Sequence, residues 1–512
     1  MNDIFPASVE QVWQWNPAAS TSTFTSSPSV PAQPDVLWHV WFRGSSTGTL
    51  SQLTGNAAYL VKVADGTASF NLSMVGKPLP PVLPWKSSGV NLVGFPTAPT
   101  GAPNFFNFFK YSVALKNGPT IFQYVGGALS DVAPKNPAMV TQPAATTVNR
   151  NQAYWIQSTA YTDFYGPLSI TLAGPQGVDF GDKLVAMSIR LKNVTDPAQS
   201  RSLTATLTPR PSATPPTGQP ANAGAVPLLI RGAFNPVTGQ FSYTPLSAPL
   251  TLASLAPGES MDVVLAVDRS ALGNNAGDVF QSLLRITDSL GYTQVDLPVR
   301  AVSTSLAGLW VGVAVVNNVN QILGQTTTPA AAPSNFPIRI ILHRNAAGVT
   351  TLLQEVYLGD VAGTPTALSK LALDHNSTVT PSVRLSSASF RRDLVVSGAG
   401  QLAISGTVNF SDTIGATDPT NPFYHKYHPD HDNLDAKFQP ITAGAPESYA
   451  VTRAVKLTFA PPAPGDFDPT WGSTTLGGTY SETLTGLRSQ PIAVSGVFLL
   501  HLVANPSTLL TQ

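Results

Sequence analysis

The hydrophobic residues of this chain fall into short runs that alternate with polar residues or are continuously apolar, and proline or glycine interrupts almost every run. Valine, isoleucine, threonine and aromatic residues dominate these runs, as in residues 36–42, 183–192 and 279–288. Such residues favour strands, and the periodicity of a long amphipathic helix is nearly absent. The pattern predicts an all-β protein of tandem β-sandwich domains, Ig-like or jelly-roll-like, with short helices only. The predicted helices lie at 105–109 and within 359–370.

Changes in composition and proline-rich connectors divide the chain into four segments. Asn56-Ala-Ala-Tyr-Leu-Val61 is echoed by Asn151-Gln-Ala-Tyr-Trp-Ile156, which indicates two related halves in the N-terminal region. The predicted segments are an extended N-terminal arm (1–34), an N-terminal β-sandwich region (35–175, with halves 35–88 and 89–175), an Ig-like β-sandwich (176–303) and a C-terminal β-sandwich (304–512) with a long His/Asp loop (411–448).

Three strand-like motifs follow one another in the N-terminal region: Asn91-Leu-Val-Gly-Phe-Pro96, Ile121-Phe-Gln-Tyr124 and Asn151-Gln-Ala-Tyr-Trp-Ile156. In this order they resemble a module of secreted and cell-surface multi-domain β-sandwich proteins of environmental bacteria. The turn Leu255-Ala-Pro-Gly-Glu-Ser260, followed by an alternating run, is similar to the penultimate hairpin of bacterial Ig-like domains. The resemblance implies a β-sandwich fold and an extracellular location, and it carries no catalytic residues.

Charge is scarce in this chain. Only 11% of the residues are charged and the 28 basic residues balance the 28 acidic ones, which leaves no basic field to attract nucleic acid or an anionic membrane. The absence of cysteine excludes disulfides, thiolate metal sites and thiol nucleophiles. No run reaches the roughly 18 to 20 apolar residues of a membrane span. Met1-Asn-Asp-Ile-Phe-Pro6 lacks a signal-peptide pattern, so export would need a leader removed from this numbering or another route.

Histidine and aspartate side chains are most concentrated in the long loop, where histidine recurs at every third position. Imidazole nitrogens suit Zn²⁺, whereas the oxygens of Asp and Asn suit Ca²⁺, which is the preferred ion of the two. The loop matches neither an EF-hand nor a His-Glu-x-x-His motif. Alternatively, these side chains hydrogen-bond the backbone of their own loop, as Asp and Asn do in turns. The candidate metal ligands are His425, His428, Asp430, His431, Asp432, Asn433 and Asp435.

No motif of a known reaction stands out, and no catalytic residue is predicted. Gly44-Ser-Ser-Thr-Gly48 has the spacing of a nucleophile elbow, but it lies between two predicted strands and is interpreted as a β-turn. A catalytic carboxylate pair is defined by space rather than by spacing, so it leaves no sequence signature. The carboxylates considered for such a pair are interpreted as turn or strand residues: Glu259, Glu355, Glu447 and Glu482.

Most of the eight tryptophans alternate with apolar strand residues, which predicts that they pack in cores. Phe5, Trp13 and Trp15 are different because they fall in the predicted arm. We therefore predict that these three aromatic residues serve assembly, by docking onto a neighbouring subunit or an upstream domain.

These features favour an extracellular, cell-surface protein with a structural or adhesive role, as a subunit of a filament, coat or surface layer. Copies of the same chain, other surface proteins or glycans are the expected partners, with neither nucleic acid nor a membrane span. One alternative is a Ca²⁺-dependent polysaccharide-binding protein or hydrolase. A further alternative is a viral or phage coat or fibre protein.

Overall fold

The computed structural model divides into two compact units, Met1–Val267 with Asp278–Val302 and Asp268–Gly277 with Ser303–Gln512. Almost all regular structure is β-strand, so the protein is all-β as predicted. No helix within the described residues is long and apolar enough to cross a membrane. The described residues are 4–16, 36–55, 57–68, 70–72, 76–83, 85, 89–124, 137–158, 160–237, 239–320, 329–353, 396–415, 450–462, 467–486 and 491–508.

The first unit begins with a three-stranded antiparallel sheet whose central strand comes from the N-terminus. Strand β1 (Val9–Trp15) pairs on one side with β2 (Trp38–Phe42) and on the other with β3 (Tyr59–Val63). The prediction of an extended arm is therefore wrong for residues 9–15, because both edges of this strand are hydrogen-bonded.

A four-stranded sheet follows, with the strand order β4-β7-β5-β6. Its strands are β4 (Gly89–Gly94), β5 (Thr120–Gln123), β6 (Ala138–Met139) and β7 (Ala153–Ser158). The predicted helix α1 (Phe105–Phe109) is confirmed, and it starts where the side chain of Asn104 accepts a hydrogen bond from the Asn107 amide at 2.8 Å. Three of its four phenylalanines are buried, which attaches this short helix to the aromatic core of the region.

The rest of the first unit is an Ig-like sandwich of two five-stranded sheets, ordered β13-β12-β15-β10-β8 and β14-β11-β16-β17-β9. The chain changes sheets between β8 and β9: β8 pairs antiparallel with β10, whereas β9 pairs parallel with β17. The strands are β8 (Leu168–Leu172), β9 (Val178–Asp179), β10 (Ala186–Asn193), β11 (Ala205–Pro211), β12 (Leu228–Asn235), β13 (Gln240–Pro245), β14 (Leu250–Thr251), β15 (Ser260–Val267), β16 (Val279–Asp288) and β17 (Gln294–Val302). The sandwich thus begins at Leu168, earlier than the predicted boundary at 176.

Apolar and polar residues alternate along the strands of this sandwich, and the apolar ones form its core. Leu284 and Ile286 on β16 are buried against the other sheet's inward residues, whereas Arg285 between them pairs with Asp296 on the outer face at 2.8 Å. The turn before β15 is fastened by Glu259, whose carboxylate accepts from the Ala256 amide at 2.8 Å. Glu259 is therefore a turn residue, as interpreted from the sequence.

The second unit is built on one nine-stranded sheet, ordered β21-β20-β19-β18-β26-β25-β24-β23-β22. Residues 406–410 and 495–500 share this sheet, and two strands lie between them. The strands are β18 (Gly308–Asn320), β19 (Pro329–Arg344), β20 (Thr350–Leu352), β21 (Val396–Ser397), β22 (Ala399–Gly400), β23 (Gly406–Ile414), β24 (Val451–Phe459), β25 (Thr475–Thr485) and β26 (Ile492–Ala504).

This sheet nearly closes on itself. Its two edge strands, β21 and β22, are separated in the chain by Gly398 alone, and they pair with β20 and β23 respectively. The curled sheet encloses an apolar core that includes Trp310, Phe410 and Leu500. Close approach of neighbouring strands requires glycine at Gly312 and Gly496, where a Cβ would overlap a backbone carbonyl of the next strand.

A charged cluster is buried at one end of this core. The Arg453 guanidinium donates to one oxygen of the Glu482 carboxylate, and the Tyr480 hydroxyl donates to the other at 2.5 Å. All three side chains are more than nine-tenths buried, and Arg453 is the register partner of Asp412. Burial, then the neighbouring Glu482 carboxylate, raise the pKa of Tyr480. The cluster lies at the sheet end where β23 stops and β24 starts.

Removing one partner of this buried ion pair is predicted to destabilise the second unit strongly. In Arg453→Met the Glu482 carboxylate stays buried without its cation, which costs about 3–5 kcal/mol of unfolding free energy. Lys456→Met is the matched control, because Lys456 is exposed on the same strand. Pairing Arg453→Met with Glu482→Gln should restore much of the loss. Urea denaturation followed by circular dichroism measures these changes, and equal stabilities for Arg453→Met and Lys456→Met would contradict the prediction.

A pH effect is predicted where α1 and its following turn meet the sandwich. Lys116 donates to Asp196 at 2.6 Å, and this bond, followed by a bond from the Ala198 amide, lowers the pKa of Asp196 below its ordinary 3.8. A lowered folded-state pKa contributes stability that is present above the unfolded-state pKa and is lost as the pH falls through the folded-state pKa. We expect Asp196→Asn to lose less stability on acidification below about pH 5 than the natural chain. The measurement is the urea midpoint of each protein, followed by tryptophan fluorescence across this pH range. If the midpoints of Asp196→Asn and the natural chain fall in parallel with pH, the prediction is wrong.

Candidate interaction surface

The predicted metal ligands lie outside the described residues. His425, His428, Asp430, His431, Asp432, Asn433 and Asp435 all fall within 416–449. In the described part of the chain, no group of three or more His, Asp or Glu side chains is placed to hold a metal ion. The Ca²⁺ or Zn²⁺ site therefore stays a prediction from sequence.

The predicted assembly residues are buried within the chain itself. Phe5, Trp13 and Trp15 are 5%, 2% and 6% exposed, respectively. Phe5 stacks on Trp41, with ring centroids 5.8 Å apart, and the Trp13 indole donates to the Gln11 side chain at 3.0 Å. Their assignment to an exposed docking arm is thus corrected: pairing of β1 with β2 and β3 places Trp13 and Trp15 in one core cluster, and Phe5, which precedes β1, packs in another with Trp41.

The buried Trp15 packs against tryptophans of two different sheets. Its ring meets that of Trp155 edge to face, with centroids 4.7 Å apart, and Trp155 belongs to β7 of the four-stranded sheet. Trp38 on β2 contacts both of these rings. The tryptophan cluster therefore joins the first two sheets of the first unit, and such edge-to-face contacts add stability beyond the area that they bury.

A different apolar surface is exposed on the Ig-like sandwich. Beyond Arg231, strands β12 and β13 continue as a two-stranded ribbon, residues 232–243, that is exposed along most of both strands. Phe234 and Phe241 face each other across the ribbon with centroids 5.1 Å apart, yet they are 52% and 40% exposed. Val237 at the tip is 92% exposed. A contiguous exposed patch of this kind typically marks an interaction site.

The ribbon also lacks the charges that normally protect an exposed edge. Strand β13 is the edge of its sheet, and residues 232–245 include neither a Lys or Arg nor an Asp or Glu. The nearest charge, Arg231, lies over the Phe241 ring, 4.3 Å from its centroid. Charged side chains on an edge oppose the addition of a strand from another chain, and this edge has none, although Pro245 ends it and a register shift separates Arg231 from Phe234. The ribbon is therefore the candidate interaction surface.

Sequence reasoning missed this ribbon although a signal was present. Asn235-Pro-Val-Thr-Gly239 is a turn sequence flanked by Phe234 and Phe241. In the structure the Asn235 side chain accepts from the Val237 amide at 2.9 Å, and Gly239 adopts a φ of +70°, which favours glycine. What the sequence cannot show is that the fold leaves Phe234 and Phe241 52% and 40% exposed.

The burial of the tryptophan cluster predicts a stability effect that an exposed arm would not have. Trp15→Ala is expected to lower the unfolding free energy by about 3–5 kcal/mol, because it leaves a cavity between two sheets. Val36→Ala is the matched control, since Val36 is exposed beside the same sheet. Thermal unfolding monitored by fluorescence would show the difference. A Trp15→Ala variant as stable as the control would contradict the burial of Trp15 and support an exposed N-terminal arm.

Comparisons with known proteins leave the chain without an assigned relative. No family model matches it, and no curated protein matches it. Among solved structures, a protein of unknown function from Bacteroides ovatus aligns with 65% of this chain and 94% of its own, at 9% identity and a TM-score of 0.16. A DUF4466 family protein from Parabacteroides merdae ATCC 43184 covers 65% and 97%, at 7% identity and the same TM-score. At these TM-scores the likeness supports no conclusion about fold or function.

Proposed function

We propose that the protein is an extracellular structural or adhesive protein that works as a subunit of a larger surface assembly. The observation that carries this proposal is the uncharged apolar ribbon of residues 232–243 on an otherwise well-packed sandwich. An isolated two-stranded hairpin is only marginally stable in water, so a ribbon of this kind gains from a partner that covers it.

The partner that best fits the ribbon is another copy of the same chain. Pairing along β13 would be self-complementary, because a two-fold axis at Tyr243 sets Phe241 opposite Pro245 of the second copy and Ser242 opposite Thr244. No charge repels within this stretch, so antiparallel pairing meets no electrostatic penalty. Tandem β-sandwiches, scarce charge and the sequence resemblance to bacterial surface modules support the extracellular location.

Self-association through the ribbon is tested by removing its apolar side chains. The double variant Phe234→Ser/Phe241→Ser should weaken association at least about tenfold in Kd, as expected when two central aromatic contacts are lost. Phe106→Ser is the matched control, because Phe106 is an exposed phenylalanine of the same unit outside the ribbon. Sedimentation velocity over a concentration series gives the Kd. A natural chain that is monomeric at all concentrations, or a double variant that associates like the control, would reject the proposal.

A further inference from the structure

The first unit contains a cleft that none of the functions above uses. Its volume is about 770 Å³, within the range of small-ligand sites. Its walls are the end of β1, a proline-rich connector (residues 79–83 and Trp85) and the neighbouring ends of β4 and β7. The connector is stiff because proline restricts its backbone, and the strands are held by their sheets, so the cleft is largely preformed.

Aromatic side chains from separate elements line this cleft. Trp15 comes from β1, Tyr59 from β3, and Trp85 and Tyr165 from the connector and the segment before β8. Trp85 and Tyr165 meet at 5.9 Å between centroids, and the Tyr165 hydroxyl donates to the Leu83 carbonyl at 2.9 Å. Trp15 and Trp85 are 6% and 3% exposed, so their indoles back the wall of the cleft, whereas Tyr59 and Tyr165 are partly exposed.

The polar lining is almost entirely uncharged. Gln14, Asn151 and Gln152 contribute amides, and Gln152 is oriented by the Tyr154 hydroxyl, which donates to its side-chain oxygen at 2.9 Å. Asn151 has a φ of +68°, a conformation that asparagine tolerates better than most residues. No carboxylate is among the described lining residues. The one cation there, Arg150, donates from a single nitrogen to the carbonyls of Thr97 and Gln294 at 3.0 and 2.9 Å.

From this lining we infer that the cleft binds a neutral oligosaccharide segment of a polysaccharide. The partly exposed rings of Tyr59 and Tyr165 offer apolar surface to the C–H face of a sugar ring, and amides pair with hydroxyl groups both as donors and as acceptors. Among the described lining residues an anionic ligand would find a single cation, Arg150, one of whose nitrogens is held by two backbone carbonyls. A neutral polyhydroxylated ligand satisfies both the aromatic and the amide groups without burying an unpaired charge.

Binding is tested with the full chain on a glycan array that contains neutral gluco-, manno-, galacto- and xylo-oligosaccharides together with anionic uronate oligosaccharides. The best neutral probe is then titrated by calorimetry. Val82→Trp fills the cleft from an exposed position, and Asn151→Gly removes an amide while it retains the positive φ. Each variant should weaken binding about tenfold or more. Leu184→Trp adds the same bulk at an exposed position outside the cleft and should bind like the natural chain.

Several results would overturn the inference. These are an array without neutral ligands, a preference for uronates, and unchanged affinity in both cleft variants. Loss of self-association in Val82→Trp, without glycan binding by the natural chain, would instead identify the cleft as a docking site for another copy. The ribbon variant Phe234→Ser/Phe241→Ser should bind the neutral probe normally, so failure of the assembly proposal and failure of this inference are distinguishable.

Discussion

The structure depends on one constraint: every backbone N–H and C=O along a strand edge needs a hydrogen-bonding partner or water. In an all-β chain this constraint decides where each segment goes. Strand β1 meets it by lying between two neighbours, which draws the N-terminal aromatic residues into the interior. The nine-stranded sheet meets it by curling until β21 and β22 are joined through Gly398. Strand β13 is an open edge, and Phe241 on it and Phe234 opposite it on β12 stay exposed, which makes this ribbon the candidate interaction surface.

Charged residues are scarce, and ion pairs between neighbouring strands occur in two different settings. Arg285 with Asp296 and Arg190 with Asp262 bridge neighbouring strands on outer faces, where such pairs add little stability but fix register. Arg453 with Glu482 is the opposite case, since both groups are buried inside the curled sheet. A buried pair is costly to break and gains little over apolar packing, so its effect is to make one strand register preferred over others.

Local pattern was enough to predict strand type but insufficient to predict strand partners. Residues 279–288 alternate regularly and form β16 with the predicted bounds, and the phenylalanine-rich helix α1 was identified from its own spacing. The first strand was missed because Val9–Trp15 is set among Ser-, Thr- and Pro-rich residues, and its pairing partners lie far along the chain. Closure of the last sheet is equally nonlocal, since it depends on residues flanking Gly398. The ribbon had a local turn signal, whereas its exposure is a property of the fold.

The ribbon and the cleft are proposed for different interactions, self-association and oligosaccharide binding respectively. The cleft lies among the first two sheets of the first unit, whereas the ribbon belongs to the Ig-like sandwich, so one subunit can offer both at once. A shallow aromatic and amide site holds a neutral sugar weakly, because each of its hydrogen bonds replaces one with water. Assembly changes this balance: when many subunits are linked, rebinding at a neighbouring cleft occurs at high effective concentration and the total attachment far exceeds that of one site. Weak sites that are repeated by self-association are therefore sufficient for adhesion, and no single cleft has to bind tightly.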